Sequence, residues 1–415
     1  MRILVKNGRI INPKTGFDQK ADLSIEDDII KEICPQIPEQ GFDKIINAEG
    51  KIVVPGFIDL HVHLREPGYE HKETIETGTK AAAKGGFTTV ACMPNTSPAL
   101  DSVENLEKLK QIVQKTAAIR VYPIGAITEG IRGEILTEHE RLIEAGAIAL
   151  SDDGRTTMNA GYMEVAFNHS RALEIPIITH SEDHEITSQY TEEVYPIEAE
   201  YNIVRRDIAL CESQNGILHV AHVSGKEALK AIREAKSRGV RVTCEAAPHH
   251  FALNSSCVDV KDVYSKVNPP IREQAEQRAV IEGIMDGTID IIATDHAPHD
   301  KASKETIYGS AAYGISGIET AFQVAYTHLV LKEGLPFKKL IEMMTSRPAE
   351  IAKLSQTGSL EKGNWADITI LNTDYESVID SEAFISKGKN TPFNGMKVKG
   401  LVEMTICSGK IVFNY

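Results

Sequence analysis

Pro55-Gly56-Phe57-Ile58-Asp59-Leu60-His61-Val62-His63-Leu64-Arg65 opens on a Pro-Gly turn signal, runs largely apolar for a strand's length and ends in two histidines and an arginine. The two-residue period of a strand puts His61, His63 and Arg65 on one face. Further apolar runs follow at Thr88 to Pro94, Arg120 to Ile127, Ala147 to Asp153, Pro176 to Glu182, Leu218 to Ser224, Arg241 to Pro248 and Ile289 to His296. Between them lie stretches of helical periodicity, among them Thr74 to Lys84, Val103 to Lys115, Ile197 to Ser213, Lys226 to Arg238 and Gln274 to Asp286. Strands alternating with amphipathic helices describe repeated βα units on a parallel sheet. Eight of them predict an α/β protein built on a (β/α)8 TIM-type barrel.

Outside the barrel the texture is β-like at both ends. Ile3 to Lys6, Arg9 to Asn12, Ala21 to Glu26 and Lys44 to Asn47 are short strand-like runs with Asn-Gly, Asp-Asp and Glu-Gly turn signals beside them. Past Gly317 two helical stretches reach about Lys353, and then Asp367 to Leu371, Met396 to Val402, Glu403 to Cys407 and Lys410 to Phe413 read as strands again. The expected organisation is a small β-sandwich domain made from residues 1–55 and 357–415, beside a barrel of residues 56–356.

Composition narrows the function. The 415 residues carry 45 Lys plus Arg against 59 Asp plus Glu, a net charge of −14, which argues against a nucleic-acid or anionic-membrane surface. With 42% hydrophobic, 25% charged and 6% aromatic residues, the chain has the make-up of an ordinary globular protein. No apolar run approaches the roughly 20 residues of a membrane span, and Met1 to Pro13 lacks the apolar core of a signal peptide. Six cysteines without a CxxC pair speak against a disulfide framework and a thiolate zinc site. The expectation is a cytoplasmic protein with reduced thiols.

The carboxyl ends of the apolar runs are where a barrel places its active site, and several of them end in His, Asp or Asn. His61-Val62-His63 is a metal clamp on a strand. Ile178-Thr179-His180 and Val220-Ala221-His222 add two histidines where strands turn polar. One such histidine is commonly a packed core residue, but four at one rim suit a metal such as zinc, iron or nickel. Ala293-Thr294-Asp295 puts a carboxylate after a fully apolar strand, where it needs a cation or a role as a base. Ser151-Asp152-Asp153-Gly154 supplies another, and spacing alone does not choose between the two aspartates.

This constellation resembles the amidohydrolase superfamily, and more closely the bacterial type I dihydroorotases, along nearly the whole chain. The matching segments are Gly56 to Gly68, Met93-Pro94-Asn95-Thr96, Ser151 to Gly154, Val267 to Arg272, Ala293 to His299 and Asn390 to Gly395. The resemblance implies His61, His63 and Asp295 for one metal, His180 and His222 for a second, and Asp153 between them. It implies one or two Zn2+ per subunit, although the sequence does not separate zinc from iron, manganese or cobalt. Related hydantoinases and type II dihydroorotases bridge their metals with a carbamylated lysine, and Ala147 to Gly154 contains no lysine. That departure favours the type I pattern.

The implied reaction is hydrolysis of a cyclic amide by water activated between two cations, with Asp295 as general base and then acid. An anionic ring substrate needs a carboxylate clamp, for which Arg65 offers a bidentate fork, and Asn95 and His299 further donors. By resemblance, Asn268 and the backbone at Tyr313 and Gly314 hold the ring's amide edge. Asp300 to Ser316, rich in Lys, Ser, Ala and Gly, reads as an irregular loop that orders as a lid over bound substrate. The resemblance names two rivals: a hydantoinase or allantoinase on the same scaffold, and a catalytically silent partner of aspartate transcarbamoylase. A homo-oligomer is expected, since most oligomers are closed assemblies of identical chains.

Overall fold

The computed structural model describes residues 1–190, 195–259 and 261–415. The chain begins with β1 (Arg2–Asn12), β2 (Phe17–Glu26), β3 (Ile29–Cys34), β4 (Lys44–Asn47) and β5 (Ile52–Pro55). The Asn7-Gly8 turn signal does not break β1. Asn7 lies at φ 64°, the register with β2 slips between Val5 and Gly8, and the signal marks a β-bulge within one long strand. The Asn7 N–H freed there donates to Asp22 Oδ1 at 2.9 Å. A Cβ on Gly8 would lie 2.6 Å from Val53 Cγ2, so only glycine lets β5 pack this closely.

The barrel strands are β6 (Phe57–Val62), β7 (Phe87–Cys92), β8 (Arg120–Pro123), β9 (Ile177–Thr179), β10 (Leu218–Val220), β11 (Val242–Ala246) and β12 (Ile291–Ile292). They pair in parallel as β6-β7-β8 and β9-β10-β11-β12. The run from Ala147 to Asp153 is the weakest member. It forms no regular strand and closes the gap through bridges from Leu150 to Gly125 and Ile177. A bridge from Val62 to His296 completes the ring. Ile58, Leu60, Ala91, Met93, Ile124, Ala149, Ile178, Ala221 and Ile291 form one buried cluster drawn from around the ring, while Phe57, Val62, Leu64, Phe87 and Phe167 belong to another that includes the helices. Leu60 belongs to the first cluster and Val62 to the second, and the register of β6 with β7 shifts between Asp59 and Val62. This bulge turns the alternation so that His61 and His63 enter the site.

Helices begin where polar side chains satisfy their free N–H groups. Thr74 and Thr77 form a reciprocal capping box before Ile75–Lys84, and Ser102 accepts from Asn105 N before Val103–Thr116. The helix Ala160–Leu173, absent from the sequence expectation, is capped by Asn159. The Asp300 to Ser316 segment is more built than expected, with a helical turn Lys301–Lys304 capped by Asp300 and a 3-10 turn Tyr308–Ser310.

The chain ends in β13 (Ile368–Val378), β14 (Lys397–Cys407) and β15 (Lys410–Asn414). β13 pairs antiparallel with β5, Val53 opposite Ile370, so both chain ends join one eight-stranded sheet in the order β15-β14-β13-β5-β1-β2-β3, with β4 on β1.

Candidate active site

The strand ends bring the predicted residues together beneath one cavity. His61 Nε2 lies 3.3 Å from Asp153 Oδ1 and 3.4 Å from Asp295 Oδ1, and His63 Nε2 lies 3.4 Å from Asp153 Oδ2 and 3.1 Å from Asp295 Oδ1. His180 Nδ1 is 2.9 Å from His222 Nε2, and these nitrogens stand 3.8 and 3.9 Å from Asp153 Oδ1. Two sets, His61 with His63 and Asp295, and His61 with Asp153 and His222, place their ligand atoms within 4.8 Å of one another. All of these residues are buried. His61 Nε2 and Asp153 Oδ1, which face each other, have no hydrogen-bond partner among the described residues. Buried, unpaired and convergent nitrogen and oxygen donors fit a divalent cation, and imidazole with carboxylate suits a borderline ion.

Electrostatics keep the carboxylates ionised and His222 neutral, while against its burial Glu245, Asp153 and Asp295 raise His61 well above its usual value. Burial opposes the charge on Asp295, but the imidazole charges of His61 and His63 and the His63 hydrogen bond outweigh it and hold the carboxyl well below its usual range. Asp153 is held low in the same way against its burial, by His61, His63 and His180. Burial, then the neighbouring His180 and His61, push His222 down to about 3, which keeps its imidazole neutral.

A cavity of about 140 Å³ lies over this cluster, and Arg65, Asn95, Asn268, Tyr313 and Gly314 line it together with His63, Asp153, His180, His222 and Asp295. Arg65 is anchored from behind, its Nε donating to Pro298 O at 3.1 Å and its Nη2 lying 3.2 Å from His299 Nε2. His299 is not in the lining. Its Nε2–H donates to Tyr313 O at 2.8 Å, so it is committed there, neither free for the cavity nor able to accept from the neighbouring Arg65 Nη2. The Asn95 amide is partly committed too, with Oδ1 3.0 Å from His63 Nδ1 and Nδ2 donating to Asp153 O at 3.3 Å. Asn268 takes the Tyr195 hydroxyl on its oxygen and donates to Glu182 Oε2 at 2.7 Å.

Comparison with known proteins decides the family. Residues 50–228 match the family model described as dihydro-orotase-like, and residues 286–413 that of an amidohydrolase family. A dihydroorotase of Caldanaerobacter subterraneus is 45% identical over 99% of this chain and 97% of its own, and one from a Geobacillus strain is 45% identical over 100% and 99%. The chain belongs to the dihydroorotase family. Among solved structures, the L-hydantoinase of Arthrobacter aurescens superposes with a TM-score of 0.91 at 25% identity, covering 99% of this chain and 96% of that one. A D-hydantoinase at 23% identity gives 0.90 over 100% and 95%, which carries the shared α/β TIM-type barrel. The protein is thus a hydrolase of cyclic amides from a metal-dependent family. Among the described residues no helix is long and apolar enough to cross a membrane, and all six cysteines are free.

The dihydroorotase site has supports that sequence reasoning passed over. Glu245, fully buried on β11, sets Oε1 2.5 Å from His61 Nδ1 and accepts from the His222 backbone N–H at 3.2 Å, while Oε2 lies 3.0 Å from His219 Nε2. His219 reaches on to Thr243 Oγ1 at 2.8 Å and so belongs to the site's frame. The signal in the sequence was a glutamate inside the apolar run Arg241 to Pro248. Asp59 accepts the His61 backbone N–H at 3.0 Å and the Thr294 hydroxyl at 2.6 Å, linking β6 to the segment that carries Asp295. Arg65, His222 and Asp295 sit at φ 63°, 32° and 46°, a left-handed conformation that costs non-glycine residues energy and clusters at functional sites.

Proposed function

We propose that the protein interconverts (S)-dihydroorotate and N-carbamoyl-L-aspartate in pyrimidine synthesis, with Zn2+ held by His61, His63 and Asp295, a second Zn2+ by His180 and His222, and Asp153 between them. The observation that carries the reading is the cationic fork of Arg65 facing this donor cluster across a cavity of about 140 Å³. When bound, the ions polarise the scissile carbonyl and acidify water. Arg65, fixed by its Nε–H donating to Pro298 O, turns its guanidinium to the substrate carboxylate. Asn95 contributes its remaining amide hydrogen, and Asn268 with the Tyr313 backbone takes the amide edge of the ring, while Gly314, its N–H and C=O already bonded within the protein, shapes the wall there. Asp295 is ionised and lines the cavity. It accepts the proton of the attacking water as the C–O bond forms, then delivers it to the ring nitrogen as the C–N bond breaks.

The same reading takes residues 56–356 as the catalytic barrel and residues 1–55 with 357–415 as a small β-sandwich domain. The pairing of β5 with β13 and a separate core of Ile3, Val5, Leu23, Ile30, Ile368 and Ile406 support the joining of both chain ends into one β-domain. It also takes the enzyme as a cytoplasmic homo-oligomer with aspartate transcarbamoylase as its candidate partner. Size-exclusion chromatography alone and with that enzyme tests both assemblies.

Ultraviolet absorbance, which distinguishes the ring from the open chain, tests the activity on metal-analysed protein. The expected result is turnover that falls by roughly 10²- to 10⁴-fold in Asp295→Asn. Hydantoin turnover without dihydroorotate turnover would replace the reading with a hydantoinase, and no turnover until aspartate transcarbamoylase is added would make the partner obligatory.

A further inference from the structure

Lys304 is 1% exposed, yet it carries an ammonium group into the protein without a bonded carboxylate. Its Nζ donates to three backbone carbonyls, Lys266 O at 3.0 Å, Ala312 O at 2.9 Å and Gly314 O at 3.0 Å. These three carbonyls belong to two separate segments of the cavity wall. Lys266 immediately precedes Val267 and Asn268, and Ala312 and Gly314 flank Tyr313. Val267, Asn268, Tyr313 and Gly314 all line the cavity over the histidine and aspartate cluster.

The segments are also joined directly, and Gly314 O takes a second bond from Asn390 Nδ2 at 2.9 Å. The Gly314 N–H donates to Lys266 O at 3.0 Å, and the Ala312 N–H returns to Ser303 O at 2.9 Å beside the lysine. On the outer side Lys266 Nζ donates to Tyr308 O at 2.6 Å and Gly309 O at 3.2 Å, and lies 4.3 Å from the Tyr313 ring centre. Gly314 cannot reach this position with a side chain, since it sits at φ 141° and a Cβ would lie 2.6 Å from Ala297 O. Burial, then the like charge of Lys266, lowers the Lys304 pKa to about 7. Keeping an ammonium here is costly, and three carbonyl acceptors offset that cost only while the two wall segments hold their spacing.

We propose that Lys304 is a positioning residue that latches the Val267-Asn268 and Tyr313-Gly314 segments together and so sets the width of the cavity that grips the substrate ring. The inference rests on the reading of this cavity as the substrate's. Lys304 touches no reacting atom. It acts through the backbone carbonyls on either side of the gap and bonds to none of the histidines or aspartates of the cluster.

Lys304→Met, which keeps the aliphatic arm and removes all three donors, tests the latch in the metal-loaded enzyme. The expected result is unchanged metal content, kcat within about threefold of wild type and KM for dihydroorotate raised about tenfold or more. Amide hydrogen exchange at Ala312 and Gly314 should quicken about tenfold or more, with exchange at β9 and β10 unchanged. Lys304→Gln, a shorter arm with two donors, should fall between the two proteins. An unchanged KM with unchanged exchange would overturn the proposal. So would a joint fall of kcat, metal content and folding yield in both variants, which would make Lys304 a general structural residue. If wild-type enzyme turned over no dihydroorotate, the proposed function would fall while the exchange readout still decided the latch.

Discussion

A carboxylate whose oxygens are already saturated has nothing left for a cation, and Asp152 is in that position. Its Oδ1 accepts from the Ile127 and Thr128 backbone N–H groups at 2.9 and 3.0 Å, and its Oδ2 from the Thr128 and Thr157 hydroxyls at 2.6 and 2.8 Å. Asp153, one residue on, leaves Oδ1 bare and 3.3 Å from His61 Nε2. The two therefore separate by experiment. Asp152→Asn keeps one oxygen for the two backbone N–H groups but removes the charge and forces the Thr128 and Thr157 hydroxyls to turn from donors into acceptors, and should cost about 2 kcal/mol in denaturant unfolding. Asp153→Asn should fold normally and lose metal on dialysis, measured by atomic absorption. Glu245 works through its neighbours rather than on the substrate. It fixes the His61 ring so that Nε2 faces the cluster, and Glu245→Gln should weaken metal retention about 10- to 100-fold in a chelator competition. Unchanged competition would remove Glu245 from the metal's support.

At the level of elements, what the sequence displayed depended on whether the information was periodic. Strand alternation made His61, His63, His180, His222 and Asp295 legible, because a polar residue at the end of an apolar run contradicts its surroundings. Adjacent Asp152 and Asp153 were not separable, since the difference lies in the Thr128 and Thr157 hydroxyls that fold over one of them. The inward turn of His61 depends on a bulge in β6, and the Asn7-Gly8 signal turned out to be another bulge, for the local composition of a bulge and a turn is the same. Ala160–Leu173 went unread although Met163, Ala166, Phe167 and Ser170 form its buried stripe, because His169 and Ser170 interrupt the apolar pattern. Asn159 starts that helix by accepting from the Gly161 and Tyr162 N–H groups at 3.0 and 3.3 Å. Asn159→Ala should cost about 1 kcal/mol in urea unfolding, and a cost near zero would mean that tertiary packing alone fixes the helix start.

The whole molecule buries more histidine than its metal cluster uses, and this sets its behaviour in acid. His250 is 4% exposed, with Nε2 3.0 Å from Pro269 O, and burial first of all pushes its pKa down to about 4. The free side chain has a pKa of about 6.5. Above that value both folded and unfolded forms are neutral, so the residue makes stability independent of pH. As pH falls from about 6.5 toward 4, the unfolded chain takes up a proton that the folded chain refuses, and stability drops by about 1.4 kcal/mol per pH unit, or roughly 3 kcal/mol in all. Glu174 adds to the same side, because its hydrogen bonds from Arg241 and Lys353 hold its carboxyl at about 2, an advantage lost as pH falls below its ordinary value. His250→Gln keeps a donor for Pro269 O and removes the titration. Its guanidinium midpoint should vary less steeply than that of wild type between pH 6.5 and 4.5, whatever small loss it shows at pH 7.5. Loss of metal by the protonated cluster is common to both proteins and cancels in the difference, so parallel curves for the two would mean that His250 is already charged in the folded state.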